Sequence, residues 1–191
     1  MGKSLPWQIL RSLNYNEIVP FDFAIRASQR LVCQILPLLC DLSSYILVNE
    51  NILIDNVQAA ASLAARIPAG TSVRNMEHLS QIYESRRFQN FDYGVYENFI
   101  RYGNQTPPVF DLTQITGIPI AVFMGSMDAI SDIRDNEWVL DQIRNVLVFE
   151  RNLLTFGHFN YFTAEDTEVY LRDVVELLSE YNQGQTNQVS Q

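Results

Sequence analysis

The sequence predicts an α/β fold whose two strands lie in the last third of the chain. The apolar run "GIPIAVFMG" at residues 117–125 begins and ends at glycine, as strands buried on both faces often do. A second strand pattern, "NVLVFERN" at residues 145–152, follows the short amphipathic helix pattern "DNEWVLDQI". The order strand, helix, strand predicts two parallel strands joined by a right-handed crossover.

The part of the chain before these strands is predicted to be mainly helical. Apolar residues recur at helical spacing in "FDFAIRASQRLVCQIL", and the helix formers Ala and Leu dominate "NVQAAASLAARI". The pattern "TSVRNMEHLSQIYESRRF" predicts a further helix that begins at an N-cap, Thr71 or Ser72. The following stretches, "NFDYG" and "RYGNQTPPVFDL", contain glycines and prolines and predict a long irregular section.

The end of the chain predicts a last helix and a polar tail. The helix pattern is "TAEDTEVYLRDVVELLSEY", with Thr163 as its candidate N-cap and acidic residues in its first turn. The tail "NQGQTNQVSQ" is polar and is predicted to be disordered. The predicted organisation is therefore a helical region at residues 1–115, the strand-bearing part at residues 116–182 and a disordered tail at residues 183–191.

Composition excludes several classes of function. Of the 191 residues, 47% are hydrophobic and 18% are charged, which is typical of a globular protein. The net charge is -9 and no Lys follows Lys3, so we expect no nucleic-acid partner. No apolar run reaches the roughly 20 residues of a membrane helix, and the first residues lack the apolar core of a signal peptide.

The two cysteines leave their pairing open at this point. On a continuous helix, the Cα atoms of Cys33 and Cys40 would be ~10 Å apart, beyond the ~7 Å limit for a disulfide. Pro37 lies between them and argues against a continuous helix, so a bend can bring them together. Local sequence thus leaves two free thiols and a disulfide equally open.

One acid and one histidine follow the two predicted strands. Asp128 comes just after the first strand and His158 just after the second. Functional groups of open α/β sheets gather beyond the carboxyl ends of the strands, and acid before histidine is the end of the order Ser, Asp, His in hydrolase triads. We interpret nearby Asp132 as the start of a helix and His78 as a structural residue. The two histidines and two cysteines form no recognisable metal site.

Several segments in register resemble the acid lipases, the gastric and lysosomal lipase family. The segments are "PAGTSVRNMEHLSQ", "FQNFDYG", "TPPVFDL", "IPIAVFMGSMDAISD" and "GHFNYF". The resemblance implies the C-terminal part of an α/β-hydrolase fold, in which a helical cap and lid precede the end of the sheet. It implies hydrolysis of neutral-lipid esters, such as triacylglycerol or sterol esters, without a cofactor or a metal, and contact with a lipid interface.

The resemblance also implies roles for individual residues. Asp128 matches the Asp of the family's catalytic triad and His158 matches its His. Cys33 and Cys40 match a disulfide of the cap. Asn104 begins "NQT", a glycosylation sequon that applies if the chain enters the secretory pathway. Family resemblance implies a secreted or lysosomal location.

The chain departs from the family pattern in three places. Gly125 and Ser126 stand where the family has two glycines, and Asn160 stands where it favours Asp, a difference expected to weaken the loop that carries His158. No Gly-x-Ser-x-Gly pentapeptide, the family's nucleophile motif, occurs. We therefore expect the chain to need an N-terminal part of the core that supplies the serine, and to be inactive alone. The alternative is a catalytically inactive, lipase-like binding or interaction protein.

Overall fold

A computed structural model describes residues 5–18, 23–36, 38–39, 42, 50–64, 66–67 and 70–189. The chain divides into two compact units, which are described separately. The first unit contains Met1–Ala24 and Arg66–Gln114, and the second contains Ile25–Ala65 and Ile115–Gln191. In chain order the elements are α1 (Leu5–Ser12), β1 (Glu17–Ile18), α2 (Phe23–Ile35), α3 (Val57–Ala64), β2 (Thr71–Ser72), α4 (Val73–Ser85), α5 (Val95–Tyr102), a 3-10 turn (Leu112–Gln114), β3 (Ile120–Gly125), α6 (Ile133–Gln142), β4 (Leu147–Leu153), α7 (Asn160–Thr163) and α8 (Glu168–Val189).

In the first unit, the strands β1 and β2 pair antiparallel beside two helices. Ser72 is the N-cap of α4, as predicted, because its hydroxyl accepts a hydrogen bond from the Asn75 amide. Helix α1 is tied to α4 by the buried carboxylate of Glu77, which pairs with Arg11 at 2.5 Å. The described residues of this unit therefore form a small helical assembly around one short ribbon.

Helix α5 lies where the sequence predicts an irregular section, so that prediction is wrong there. Gly94 and Gly103 flank the helix with φ values of 87° and 70°, which glycine adopts readily. Glu97 lies in its first turn and pairs at 3.2 Å with Arg101 in its last turn. The glycines that predict a loop are thus the two ends of a helix of eight residues.

In the second unit, β3 and β4 form a parallel pair joined by α6, which confirms the predicted α/β fold class. The register places Val122 opposite Glu150 and Gly125 opposite Leu153. Asp132 is the N-cap of α6, as predicted, and accepts a hydrogen bond from the Arg134 amide at 2.9 Å. Among the described residues, the sheet consists of these two strands, and both end at the same edge.

The C-terminal helix differs from its prediction at both ends. Thr163 is not its N-cap, because Thr163 ends α7 and α8 begins at Glu168, whose amide donates to Asp166. Helix α8 continues to Val189, into the polar segment for which composition predicts disorder. Each further helical residue adds one hydrogen bond and Gln is a good helix former, so a polar sequence can extend an existing helix. The boundaries at residues 115 and 182 stay predictions.

A small aromatic core lies directly behind the ends of the strands. It is built on the buried residues Leu153, Phe156 and Ala164, against which Ile54, Tyr161, Val169 and Tyr170 pack. Aromatic rings in this set meet edge to face at centroid distances of 5.4 to 6.0 Å. The core thus supports the loops that follow β3 and β4. No helix in the described part of the chain has the length and apolarity needed to cross a membrane.

Candidate active site

The loops that follow β3 and β4 bring Asp128 and His158 into direct contact. The two strands are parallel, so their carboxyl ends lie at one edge of the sheet and both loops begin there. The Nδ1 atom of His158 lies 2.9 Å from Oδ2 of Asp128. Residues thirty positions apart in the chain thus form one hydrogen-bonded acid–histidine pair.

The loop backbone prepares Asp128 as an ionised hydrogen-bond acceptor. Its Oδ1 accepts hydrogen bonds from the amides of Ile130 and Ser131, both at 2.8 Å. Burial acts to raise the pKa of Asp128, but the hydrogen bonds from Ser131, His158 and Ile130 outweigh it and lower that pKa below its usual value. At neutral pH the carboxylate is therefore charged and donates no proton.

An ionised Asp128 decides which nitrogen of His158 carries the proton. A carboxylate only accepts, so Nδ1 of the neutral imidazole is the donor and Nε2 keeps its lone pair. The Asp128 side chain is 6% exposed, whereas the His158 side chain is 34% exposed, so the imidazole reaches the surface. No hydrogen-bond partner of Nε2 lies among the described residues. The pair can therefore accept a proton at Nε2 and stabilise the resulting imidazolium.

Gly125 at the end of β3 lets the two loops approach each other. A β-carbon at this position would lie 2.4 Å from the carbonyl oxygen of Phe156. That oxygen belongs to the backbone and cannot move aside as the end of a flexible side chain can. The same carbonyl accepts a hydrogen bond from the Met127 amide at 3.0 Å. Ser126, in contrast, is exposed and its hydroxyl donates to Asn152 at 2.6 Å. The departure at residue 126 therefore leaves the close approach intact.

Asn160 holds the loop that carries His158, against the expectation that the change from Asp weakens it. The side chain is fully buried, and its Oδ1 accepts from the Gly157 amide at 2.6 Å. Its Nδ2 donates to the carbonyl of Asn51 at 3.1 Å and to the carboxylate of Asp55 at 2.8 Å. An amide fits at residue 160 because Asp55 supplies a hydrogen-bond acceptor. An ionised carboxylate at residue 160 would have no hydrogen to donate to it.

The segment 50–56, far from the strands in sequence, braces the same loop. Asp55 also accepts from the hydroxyl of Thr163, and Asn51 donates through its side chain to the Thr155 carbonyl at 2.8 Å. Backbone hydrogen bonds from Asn56 to Thr163 and from Glu165 to Ile54 complete the contact. The sequence does not predict this role for the segment, because its polar residues follow no motif or period.

Glu50 lies at the start of this segment, against the residue that follows His158. Its side chain is buried, with 1% of the residue exposed, and Oε2 accepts from the Phe159 amide at 2.7 Å. The other oxygen, Oε1, is buried without a hydrogen-bond partner among the described residues. Burial raises the pKa of Glu50 to about 7, because a carboxylate withdrawn from water is costly to ionise.

The other predicted residues have no contact assigned to the pair, and one of them lies outside the described residues. His78 belongs to the first unit, where its Nε2 lies 2.8 Å from the Gln89 carbonyl oxygen, consistent with a structural role. Cys33 is buried at 5% exposure, while Cys40 lies outside the described residues, so their pairing stays a prediction. Asn104 is exposed. The described residues contain no group of three His, Cys, Asp or Glu side chains suited to a metal ion.

Comparison with known proteins relates the chain to lipases. No protein-family model matches it. It is 36% identical to the gastric triacylglycerol lipase of Bos taurus, over 61% of this chain and 29% of the relative. It is 31% identical to the gastric triacylglycerol lipase of Homo sapiens, over 84% of this chain and 41% of the relative. It is 34% identical to the lysosomal acid lipase/cholesteryl ester hydrolase of Macaca fascicularis, over 60% of this chain and 29% of the relative.

The matched region is only a part of these relatives, since the chain covers 29% to 41% of their lengths. Identities between 31% and 36% nevertheless recur across gastric and lysosomal enzymes, over 60% to 84% of the chain. The chain is therefore related to the acid lipase family, the family of the gastric and lysosomal lipases.

Proposed function

We propose that Asp128 and His158 are the orienting carboxylate and the proton-transferring histidine of a serine-hydrolase triad that cleaves neutral-lipid esters. The observation that carries the proposal is the 2.9 Å contact between Nδ1 of His158 and Oδ2 of Asp128, beyond the carboxyl ends of two parallel strands. The printed names of the relatives, triacylglycerol lipase and cholesteryl ester hydrolase, support esters of glycerol or of a sterol as substrates.

In this reaction His158 first accepts a proton and later donates one. Its Nε2 takes the proton of the serine hydroxyl as that oxygen attacks the ester carbonyl, and later returns a proton to the departing alcohol. Asp128 keeps the proton of the neutral imidazole on Nδ1 and stabilises the imidazolium. Asp128 is suited to this task because its lowered pKa keeps it ionised.

The nucleophile is proposed to lie outside these 191 residues. The sequence contains no Gly-x-Ser-x-Gly pentapeptide, and the relatives are more than twice as long as the segment they share with the chain. In this proposal the chain is the cap and the C-terminal part of the core of a larger lipase. A secreted or lysosomal location, a glycan on Asn104 and contact with a lipid interface belong to the same proposal.

One observation favours a second function. Without the pentapeptide, His158 has no identified serine to activate, and an acid–histidine pair alone gives no covalent catalysis. A binding or interaction protein that retains the lipase-like architecture would account for this absence. Its mark would be lipid binding without ester hydrolysis by the complete gene product.

The test uses the complete gene product and emulsified triacylglycerol or sterol ester as substrate. Replacing His158 by Gln should lower hydrolysis by at least about 10³-fold, since the base is lost. The matched control is His78→Gln, which keeps a donor for the Gln89 carbonyl and should leave hydrolysis within about twofold of wild type. Undiminished hydrolysis by His158→Gln would contradict the proposal, and no hydrolysis by the wild-type gene product would favour the binding protein.

A further inference from the structure

The backbone amides on both sides of His158 are held by buried side chains. The Gly157 amide donates to Asn160 at 2.6 Å, and the Phe159 amide donates to Glu50 at 2.7 Å. Asn160 is fully buried and Glu50 is 1% exposed, so water does not compete for either contact. The peptide unit between Phe156 and Gly157 and the unit between His158 and Phe159 are therefore fixed from within the protein.

We propose that Glu50 is a positioning residue for His158, which it holds against Asp128 by accepting the hydrogen bond of the Phe159 amide. Its part in catalysis rests on the proposed function, whereas its hold on the loop does not. Glu50 lies 108 positions before His158 and belongs to no motif of the sequence. The group acts through the backbone and touches no reacting atom.

Other charges face the same carboxyl group. Asp55 lies on the same segment and His158 lies on the loop, whereas Asp128, on the loop that follows β3, contacts His158. Burial is the largest cause of the raised pKa of Glu50, and Asp55 raises it further. The amides of Phe159 and Asn160 and the His158 side chain act in the opposite direction. Glu50 is accordingly neutral in acid and charged above about pH 7.

Ionisation of Glu50 changes the negative charge near the His158 imidazole. The charged form of Glu50 attracts a protonated imidazole, whereas the neutral form leaves Asp128 as the carboxylate beside it. In acid, Glu50 can still accept the Phe159 hydrogen bond through a carbonyl oxygen while adding no negative charge. The hold on the loop and the charge near His158 are thus set by one side chain.

Opening of the loop must depend on pH if Glu50 is exposed when the loop opens. The closed form binds the Glu50 proton more tightly than the open form, in which the pKa returns toward its ordinary value of 4.5. Opening therefore becomes easier as pH rises from about 4.5 to about 7, and stays easier above that range. The expected increase in the opening equilibrium between pH 5 and pH 8 is at least about tenfold.

Hydrogen exchange of the peptide that covers residues 155–163 tests this inference on the complete gene product. Rates are corrected for the intrinsic effect of pH and are compared at pH 5 and pH 8. Wild type should show the increase of about tenfold or more. Glu50→Gln, which keeps an oxygen acceptor but does not titrate, should show none. The control Glu150→Gln alters an exposed carboxylate on β4 and should behave as wild type.

A second readout follows the downfield NMR resonance of the His158 Nδ1 proton, which reports the hydrogen bond to Asp128. Glu50→Ala removes the acceptor of the Phe159 amide and should broaden or shift this resonance, while Glu50→Gln should retain it. Equal exchange at the two pH values in wild type, the same increase in Glu50→Gln, or an unaltered resonance in Glu50→Ala would each overturn the inference. Neither readout measures hydrolysis, so failure of the proposed function is recognised separately.

Discussion

Gly125 lies so close to Phe156 that a β-carbon at residue 125 would be 2.4 Å from the Phe156 carbonyl oxygen. The contact joins the end of β3 to the loop that follows β4, and the Asp128 and His158 loops leave the sheet on either side of it. Glycine is required here by space and not by an unusual φ. The geometry of the acid–histidine pair thus depends on the lack of a β-carbon at residue 125.

Replacing Gly125 by Ala should separate the two loops. The added methyl group meets backbone, so the strands or the loops must shift, and overpacking of this kind costs about 1–3 kcal/mol. Chemical unfolding measures that loss, and the NMR resonance of the His158 Nδ1 proton should shift or broaden. Ser126→Ala is the control, because residue 126 is exposed and already carries a β-carbon. Equal stability of Gly125→Ala and Ser126→Ala would contradict the steric argument.

Replacing Asp128 by Asn should misplace the proton of His158. Asn keeps an oxygen for the amides of Ile130 and Ser131, but presents an NH₂ group to Nδ1 and so favours the proton on Nε2. In the complete gene product, kcat for ester hydrolysis should fall by about 10³- to 10⁴-fold.

The control for this change is Asp132→Asn, four residues away. Asn is as good an N-cap as Asp, so α6 should keep its start and hydrolysis should stay near the wild-type rate. A loss in Asp132→Asn as large as in Asp128→Asn would show that the acidic loop acts only through folding.

Replacing Asn160 by Asp should destabilise the His158 loop, and a second change should restore it. The new carboxylate would face Asp55 at the place where an amide now donates at 2.8 Å, so two buried acceptors would meet. The expected cost is about 2–4 kcal/mol, measured by chemical unfolding at pH 7. Asp55→Asn in the same chain supplies an NH₂ group toward residue 160 and should recover at least about half of the loss.

The two single variants and the double variant form a thermodynamic cycle. One oxygen of Asp55 accepts from both Asn160 and Thr163, so in the Asp55→Asn single variant the amide oxygen can keep both contacts and only the charge is lost. Strict additivity of the two changes would show that Asn160 and Asp55 do not interact.

Replacing Glu50 by Gln should change the pH dependence of global stability. The folded protein holds the Glu50 proton with a pKa of about 7, against 4.5 for the ordinary group, so ionisation opposes folding as pH rises. Wild type should lose roughly 3 kcal/mol relative to Glu50→Gln between pH 4 and pH 8. Urea unfolding at several pH values measures this difference, and parallel curves for the two proteins would contradict it.

Local sequence predicts the strand pair and the acid–histidine constellation because their signals are local. Apolar runs mark β3 and β4, and capping residues mark the starts of α4 and α6. Asp128 and His158 follow their strands directly, so the rule that parallel strands share a carboxyl edge is enough to bring them together.

The errors have equally local causes. Gly94 and Gly103 predict a loop when read singly, although together they mark the ends of α5. Thr163 has the chemistry of an N-cap, but its hydroxyl donates to Asp55 instead. A capping residue with a competing tertiary partner cannot be recognised from its neighbours in the chain.

The segment 50–56, which we call the brace of the His158 loop, could not be predicted from the sequence. Glu50, Asn51 and Asp55 are ordinary polar residues until the fold places them against the His158 loop. No spacing rule connects a carboxylate with an amide more than a hundred positions later. Contacts of this kind become visible only when the structure shows which buried amides lack a backbone partner.

The separation of these partners has a consequence for the order of folding. The strands β3 and β4 and the Asp128–His158 pair close over at most thirty residues, whereas the contacts of the brace join residues 104 to 111 positions apart. Closing a longer loop costs more entropy, so the contacts of highest sequence separation are expected to form late. The histidine should therefore meet its carboxylate first, in a loop still free to move, and acquire its fixed orientation as one of the last events of folding.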